Sequence, residues 1–239
     1  MSQSSYDALK AHFESQPHLA DKTNLIEKFQ ILTRHMLAAN ETMNLTAIKD
    51  EGEIILKHYI DSLSLLKYLE IPQNSSLIDI GSGAGFPALP LGIVRGDLSI
   101  SVLDSTAKKV RYVEGAAKLL GISINGISAR AEEAARTTEL RCSYDFAVAR
   151  GVANLAVLCE LCLPFVRQSG IFAAMKSGEY IQELEGAKKC IQTLGCTLED
   201  VKEYTIGDMR RSLIIIKRTQ PIPAKYPRAY ANIVKSPIK

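Results

Sequence analysis

The 239-residue chain has no run of about 18 or more apolar residues, which argues against a membrane-crossing helix. Its first ten residues, Met1 to Lys10, hold no apolar stretch of the kind that opens a secretory leader. Cysteine is sparse and odd in number, at five. Cys159 and Cys162 form a C-x-x-C pair, but no second Cys or His pair accompanies them, so they lack the partners of a metal site. They lie in the apolar helical run Leu155 to Leu163 and read as core. Reduced thiols, a cytoplasmic location and no bound metal are the expectation. Internal repeats and low-complexity segments are missing too.

Net charge is also small, at +3, but it is unevenly spread. Six of the 29 basic residues, and none of the 26 acidic ones, fall between Lys217 and Lys239. The rest of the chain is therefore net acidic. A basic, proline-containing tail suits a polyanion such as RNA; it equally describes a solvated, poorly ordered terminus. With 46% hydrophobic residues, the chain is long enough to bury a proper core.

The informative stretch is Leu77-Ile78-Asp79-Ile80-Gly81-Ser82-Gly83-Ala84-Gly85-Phe86-Pro87. A strand-like apolar run gives way to three alternating glycines, and Asp104 closes a second such run downstream. That spacing fits a nucleoside cofactor lying across two parallel strands, its ribose held by the acid about 20 residues on. The sixth position of the dinucleotide pattern is small; here it is Phe86. Asp79 stands two residues before the first glycine. The loop therefore suits S-adenosylmethionine better than a dinucleotide. Without a Cβ, the backbone N–H groups of Gly81, Gly83 and Gly85 can approach the cofactor, and the Asp104 carboxylate can accept from both ribose hydroxyls.

The chain on either side is regular. Residues 1 to about 20 are polar and weakly patterned. Leu25, Phe29, Leu32 and Met36 mark one face of a helix over Asp21–Ala39, capped by Asp21 or Thr23. A turn-like stretch from Asn40 to Asp50 leads to a second helix, about Glu53 to Leu69. Strands are predicted at 77–80, 99–103, 123–127, 144–149, 171–175, 196–204 and 211–217. Helices are predicted over 88–94, 106–120, 153–163 and 180–194. Alternation of this kind gives a largely parallel sheet covered on both faces, with ligands at the carboxyl ends of the strands. Residues 1–72 form a helical layer packed on the main domain, 73–218 the cofactor-binding domain, and 219–239 the basic tail. His58, Asp61 and Ser62 share one side of the second helix, either lining a cleft or forming a surface pair.

Several motifs together resemble one family. They are Asn44-Leu45-Thr46, His58-x-x-Asp61-Ser62, the glycine loop through Pro90, and Leu103-Asp104-Ser105-x-x-Lys108-Lys109. With them go Ala131-Glu132-Glu133, Arg150, Lys176, the run Arg211 to Lys217, and Lys225-Tyr226-Pro227-Arg228. The chain is similar over residues 25 to 230 to the bacterial ribosomal RNA small subunit methyltransferase G family, also called glucose-inhibited division protein B. It departs from that pattern at Ala88, Gly151, Ser177 and Ala229. The resemblance implies a Rossmann-like class I methyltransferase, α/β, with a seven-stranded mostly parallel sheet whose last strand is antiparallel. It implies S-adenosylmethionine as methyl donor and N7 of a guanine in 16S ribosomal RNA, near the decoding centre, as acceptor. The partner is then 16S ribosomal RNA or the small ribosomal subunit. Cofactor contacts carry over to Gly81, Phe86, Asp104, Ala131, Glu132 and Arg150.

The absences agree with that chemistry. Guanine N7 carries a free lone pair, so its methylation needs alignment and exclusion of water, with no obligatory base. No acid–base pair stands out beyond the neighbours His58 and Asp61, which with Lys176 are the cleft-lining candidates. The fourth strand ends in Asp145-Phe146-Ala147-Val148-Ala149-Arg150, without the Asn/Asp-Pro-Pro-Tyr/Phe of exocyclic-amine methylation or a Pro-Cys nucleophile. Candidate RNA contacts are Lys108, Lys109, Arg111, Arg210, Arg211, Lys225 and Arg228, with Lys176.

Overall fold

The structure, a computed structural model, describes residues 6–15, 21–151 and 153–238. The expectations for residues 1–5 and 16–20, and the basic charge of Lys239, lie outside them. Strands β1 (Ser76–Ile80), β2 (Ser99–Asp104), β3 (Ile124–Ser128), β4 (Tyr144–Arg150) and β5 (Val166–Ser177) run parallel. The hairpin β6 (Cys196–Ile206) and β7 (Met209–Arg218) adds to the far edge, β7 lying antiparallel to β5. The order across the sheet is β3-β2-β1-β4-β5-β7-β6. The chain turns back at the centre: β2 and β3 lie to one side of β1, and β4 to the other. A crevice opens at such a switch point. Asp79 is level with Val148 in the register, so Gly81 leaves β1 at the level at which Arg150 ends β4.

Helices cover both faces because the central strands are apolar on both. On one face lie α1 (Asp7–Glu14), α2 (Lys22–Met43), the helix α3 spanning residues 51–68, α4 (Ala88–Val94) and α5 (Ala107–Leu120). Asp21 caps α2 through Asn24 N (3.2 Å), and Asp50 caps α3 through Glu53 N (2.9 Å). The short helix α6 (Ala131–Ala134) follows β3. On the other face lie α7 (Leu155–Cys162), α8 (Ile181–Thr193) and α9 (Tyr230–Lys235). Each face has its own core, one joining the N-terminal helices to the sheet and one joining α7, α8 and the tail. Cys159 and Cys162 are fully buried in the second core.

Three readings are sharpened. Weakly patterned in sequence, residues 6–15 hold a packed helix: Tyr6 and, on α1, Leu9 and Phe13 are buried. Its apolar stripe is too short for a periodic pattern to stand out. The turn expected from Asn40 begins later, since α2 runs to Met43. The basic tail, open between a polyanion contact and a loose terminus in the sequence, is exposed over much of its described part but anchored. Ile222, Tyr226 and Ile233 are buried, and burying an isoleucine side chain contributes roughly 1.5–3 kcal/mol.

One local feature has no sequence signal. The middle of α3, Ile55–Ile60, is a π-helical turn between α-helical Glu51–Ile54 and Asp61–Tyr68. Such turns change which carbonyls the helix uses for itself. Here the Lys57 carbonyl accepts from Arg150 Nη1 at 2.8 Å.

Candidate functional site

Two cavities sit at the carboxyl ends of the strands. The first, of about 380 Å³, lies over β1, β2 and β3. Its apolar walls are Ile80, Leu103, Leu158 and Leu161. Its polar groups include Asp104, Lys109, Arg130, Glu132 and Arg150, and Gly81, Gly83 and Ala131 give backbone to its rim. The second, of about 570 Å³, lies over β4, β5 and β7 and is lined by Lys57, His58, Asp61, Arg150, Lys176 and Arg211, among others. Arg150 and Gly151 line both.

The glycine loop is tied to β2 by backbone. Gly81 N and Ser82 N donate to the Leu103 carbonyl at 2.8 and 3.3 Å, and Gly83 N donates to Asp104 Oδ2 at 3.1 Å. Asp104 Oδ1 accepts from Thr106 N at 2.8 Å. The carboxylate is thus held in place, and each oxygen keeps lone pairs for a ligand. Gly85 has φ +88°, and a Cβ there would stand 2.4 Å from Leu89 Cδ1, so the third glycine is required by packing as well as by conformation.

Asp79 is fully buried beneath the loop. Its Oδ2 accepts from Ser82 Oγ (2.7 Å) and Ala88 N (3.2 Å), while Oδ1 has no partner. Burial pushes its carboxyl up to about 6. Asp79 and Gly85 shape the loop and do not line the cavity.

Phe86, carried over as a cofactor contact, is placed elsewhere. Its ring stacks on His58 (centroids 4.6 Å, interplanar angle 7°) and lies 5.9 Å from the Tyr59 ring. The contacts continue through Phe29 (4.9 Å from Tyr59) to Phe13 (5.9 Å). Phe86 therefore locks the glycine loop to the N-terminal helices, with the Arg150 guanidinium 5.4 Å from its ring centre. A packing role for the N-terminal layer explains why this position is not a glycine.

The second cavity is built from side chains. Arg150 Nη1 donates to Asp61 Oδ2 at 2.9 Å, and Arg211 Nε donates to Asp61 Oδ1 at 3.2 Å. Arg150 Nη2 donates to His58 Nδ1 at 3.1 Å, which leaves the proton on Nε2 for Thr46 Oγ1 at 2.9 Å. Thr46 is fixed by Asn40, which exchanges two hydrogen bonds with its backbone (2.8 and 2.9 Å). Burial, then the Arg150 charge, pushes the His58 imidazole down to about 4. Both its nitrogens are occupied and it is neutral, so it positions the 44–50 segment and is no general base. Lys176 donates to the Ala153 carbonyl (2.8 Å) and pairs with Glu183 (2.8 Å). Glu183 also accepts from Leu155 N at the start of α7 (2.9 Å).

The remaining basic candidates divide. Lys108 and Arg111 are exposed on the first turns of α5, Lys108 donating to the Thr42 carbonyl at 3.1 Å, and Lys109 lines the first cavity. Arg210 is exposed on β7. Lys225 is exposed, its Nζ 5.2 Å from the Tyr226 ring centre. Arg228 is committed inward to the buried Glu160. Sequence reasoning missed Leu158 and Leu161, whose i, i+3 spacing on α7 was a usable signal, and Arg130, Glu183 and Tyr230, which carried none.

A nucleoside cofactor fits the first cavity: apolar walls for a flat base, carboxylates at one end and Arg150 at the other. Sheet order, glycine loop and the acid closing β2 together define a class I methyltransferase. Among solved structures, TrmN from Thermus thermophilus shares that fold (TM-score 0.54, 18% identity, 66% of this chain and 48% of that one). So does TYW2 from M. jannaschii in complex with AdoMet (TM-score 0.52, 16% identity, 66% and 74%). At such identity the likeness speaks to fold alone.

Within that class the chain belongs to the rRNA small subunit methyltransferase G (GidB) family, whose model matches residues 25–214. Curated relatives named ribosomal RNA small subunit methyltransferase G agree. That of Clostridium botulinum (strain Eklund 17B / Type B) is 40% identical over 89% of this chain and 90% of its own length. That of Acetivibrio thermocellus is 42% identical over 89% and 88%.

Proposed function

We propose that the protein transfers the methyl group of S-adenosylmethionine to N7 of a guanine in 16S ribosomal RNA. The cofactor occupies the cavity over β1–β3, and the base occupies the cavity over β4–β7. The observation that carries this reading is that Arg150 and Gly151 line both cavities, so donor and acceptor meet at the end of β4.

When bound, S-adenosylmethionine supplies a methyl group on a sulfonium, which leaves as a neutral thioether without an acid. The chain accordingly has no proton to move. His58 has both nitrogens engaged, and Asp61 is held between two guanidinium groups. What these residues contribute is placement: Asp61 fixes Arg150 and Arg211, and His58 ties Arg150 to the 44–50 segment. A fixed approach geometry is a large part of catalysis when the nucleophile needs no activation. Four cations and one carboxylate among the lining residues suit a polyanion, and Lys108, Lys109 and Arg111 extend that charge along α5. Their phosphate contacts make binding fall with salt. The finer identity of the partner, 16S ribosomal RNA or the small ribosomal subunit, belongs to the same proposal. No helix of the described residues is long and apolar enough to cross a membrane.

The test is methyl transfer from labelled cofactor to small ribosomal subunits, and in parallel to naked 16S RNA, from cells lacking the modification. Label at one guanine N7, mapped by cleavage at 7-methylguanosine, is the expected result. Absence of label from both substrates, with cofactor binding intact, would refute the reading and leave an RNA-binding protein without turnover.

A further inference from the structure

The basic tail leads to the cofactor cavity. Glu160, fully buried on α7, accepts from Arg228 backbone N (2.8 Å), Nε (2.8 Å) and Nη2 (2.6 Å). Arg141 donates to the Tyr226 carbonyl at 2.9 Å, and Ile233 is fully buried. These anchors lie on either side of Tyr230, the first residue of α9. Tyr230 itself lines the cofactor cavity and yet is 41% exposed. The Arg130 guanidinium lies 5.7 Å from its ring centre, the geometry of a cation–π pair.

Which end of the cavity Tyr230 occupies follows from the sheet. Arg150 ends β4, Asp104 ends β2, and Arg130 follows β3; across the sheet these strands run β3-β2-β1-β4. With the ribose at Asp104, Arg150 marks the amino-acid end and Arg130 the base end. A partly exposed aromatic ring on a rigidly anchored segment at the base end is placed to stack on a purine.

We propose that Tyr230 is a cofactor-contacting residue, its ring covering the adenine end of bound S-adenosylmethionine, so that the C-terminal segment forms one wall of the cofactor site. The proposal rests on the S-adenosylmethionine reading above.

Calorimetry on the full chain with S-adenosylhomocysteine tests it. Tyr230→Ala weakens binding about tenfold, in the range of base–aromatic stacking, and Tyr230→Phe binds like the parent. The same loss appears with 5′-methylthioadenosine, which lacks the amino-acid end. A second readout is spectroscopic: the chain has no tryptophan, so Tyr230→Trp places a single indole there, whose emission changes on titration with S-adenosylhomocysteine. Unchanged affinity in Tyr230→Ala, a loss confined to the ligand that retains the amino-acid end, or an unmoved indole emission at saturation each overturns the proposal. Asp104→Ala separates the two readings. If it weakens binding while Tyr230→Ala does not, the cofactor site stands and the role of Tyr230 falls. If the parent chain binds neither ligand, both fall.

Discussion

The two cavities share a wall but are held in opposite ways. Around the cavity proposed for the cofactor the fixing contacts are mostly backbone: Gly81 and Ser82 on the Leu103 carbonyl, and Gly83 and Thr106 N–H groups on Asp104. Around the cavity proposed for the acceptor they run largely between side chains: Thr46 to His58 to Arg150 to Asp61 to Arg211, with Lys176 on Glu183. A backbone cradle tolerates change at most surrounding side chains and fails where a glycine or its one carboxylate is lost. A chain of half-buried polar side chains around a buried carboxylate depends on every member, because each removal leaves a partner unsatisfied.

Asp61→Asn attacks the side-chain half most directly. The Asp61 side chain is 6% exposed and serves two guanidinium groups. Breaking a buried pair costs up to about 3–5 kcal/mol of stability, seen as a lower urea midpoint. Methyl transfer falls much further than cofactor affinity. Equal losses in both would mean that the two cavities are not independently held.

Asp104→Ala should do the reverse. Cofactor affinity drops by roughly 1.5–3 kcal/mol, as for a lost hydrogen bond to a charged group, measured by calorimetry. RNA binding, measured by filter retention, stays within error of the parent.

The smallest effect is on pH dependence. His58 is neutral when folded over a window, about 4 to 6.5, in which the unfolded chain binds its proton, so it makes stability fall as pH falls. Asp79 holds its proton when folded between 3.8 and about 6, so it makes stability fall as pH rises. The two slopes oppose each other between about pH 4 and 6. His58→Gln leaves the Asp79 slope, with stability declining as pH rises through that window. Asp79→Asn leaves the His58 slope, with stability declining as pH falls. Denaturation midpoints across a buffer series check both signs, and parallel profiles for the two variants would count against them.

What was legible in the sequence follows the same division. That the glycine loop and Asp104 come together at one cavity was legible from their spacing along two neighbouring strands. The strand–helix alternation likewise gave the sheet. His58, Asp61, Arg150 and Arg211 were legible as a group only through family resemblance, because the ion pairs join residues 89 and 150 positions apart. The π-helical turn that frees the Lys57 carbonyl has no compositional mark. The packing of the Phe86 ring on His58 was not legible because a loop motif speaks for the ligand side and is silent about what packs behind it. The anchoring of the tail was not legible for a simpler reason: a charge count does not see that Arg228 is neutralised by Glu160 on a distant helix.

The shared wall at Arg150 has a consequence for turnover. Methylating N7 leaves the base with a positive charge, whereas the guanine that entered was neutral. The charge thus moves from one side of Arg150 to the other, into a cavity lined by Lys57, Arg150, Lys176 and Arg211. Glu53, Asp61 and Glu183 pair with those cations and offset three of the four charges, so in the proposed arrangement a single excess positive charge disfavours the base once it is cationic. In that proposed arrangement the lining that would hold the acceptor before transfer would favour its departure afterwards.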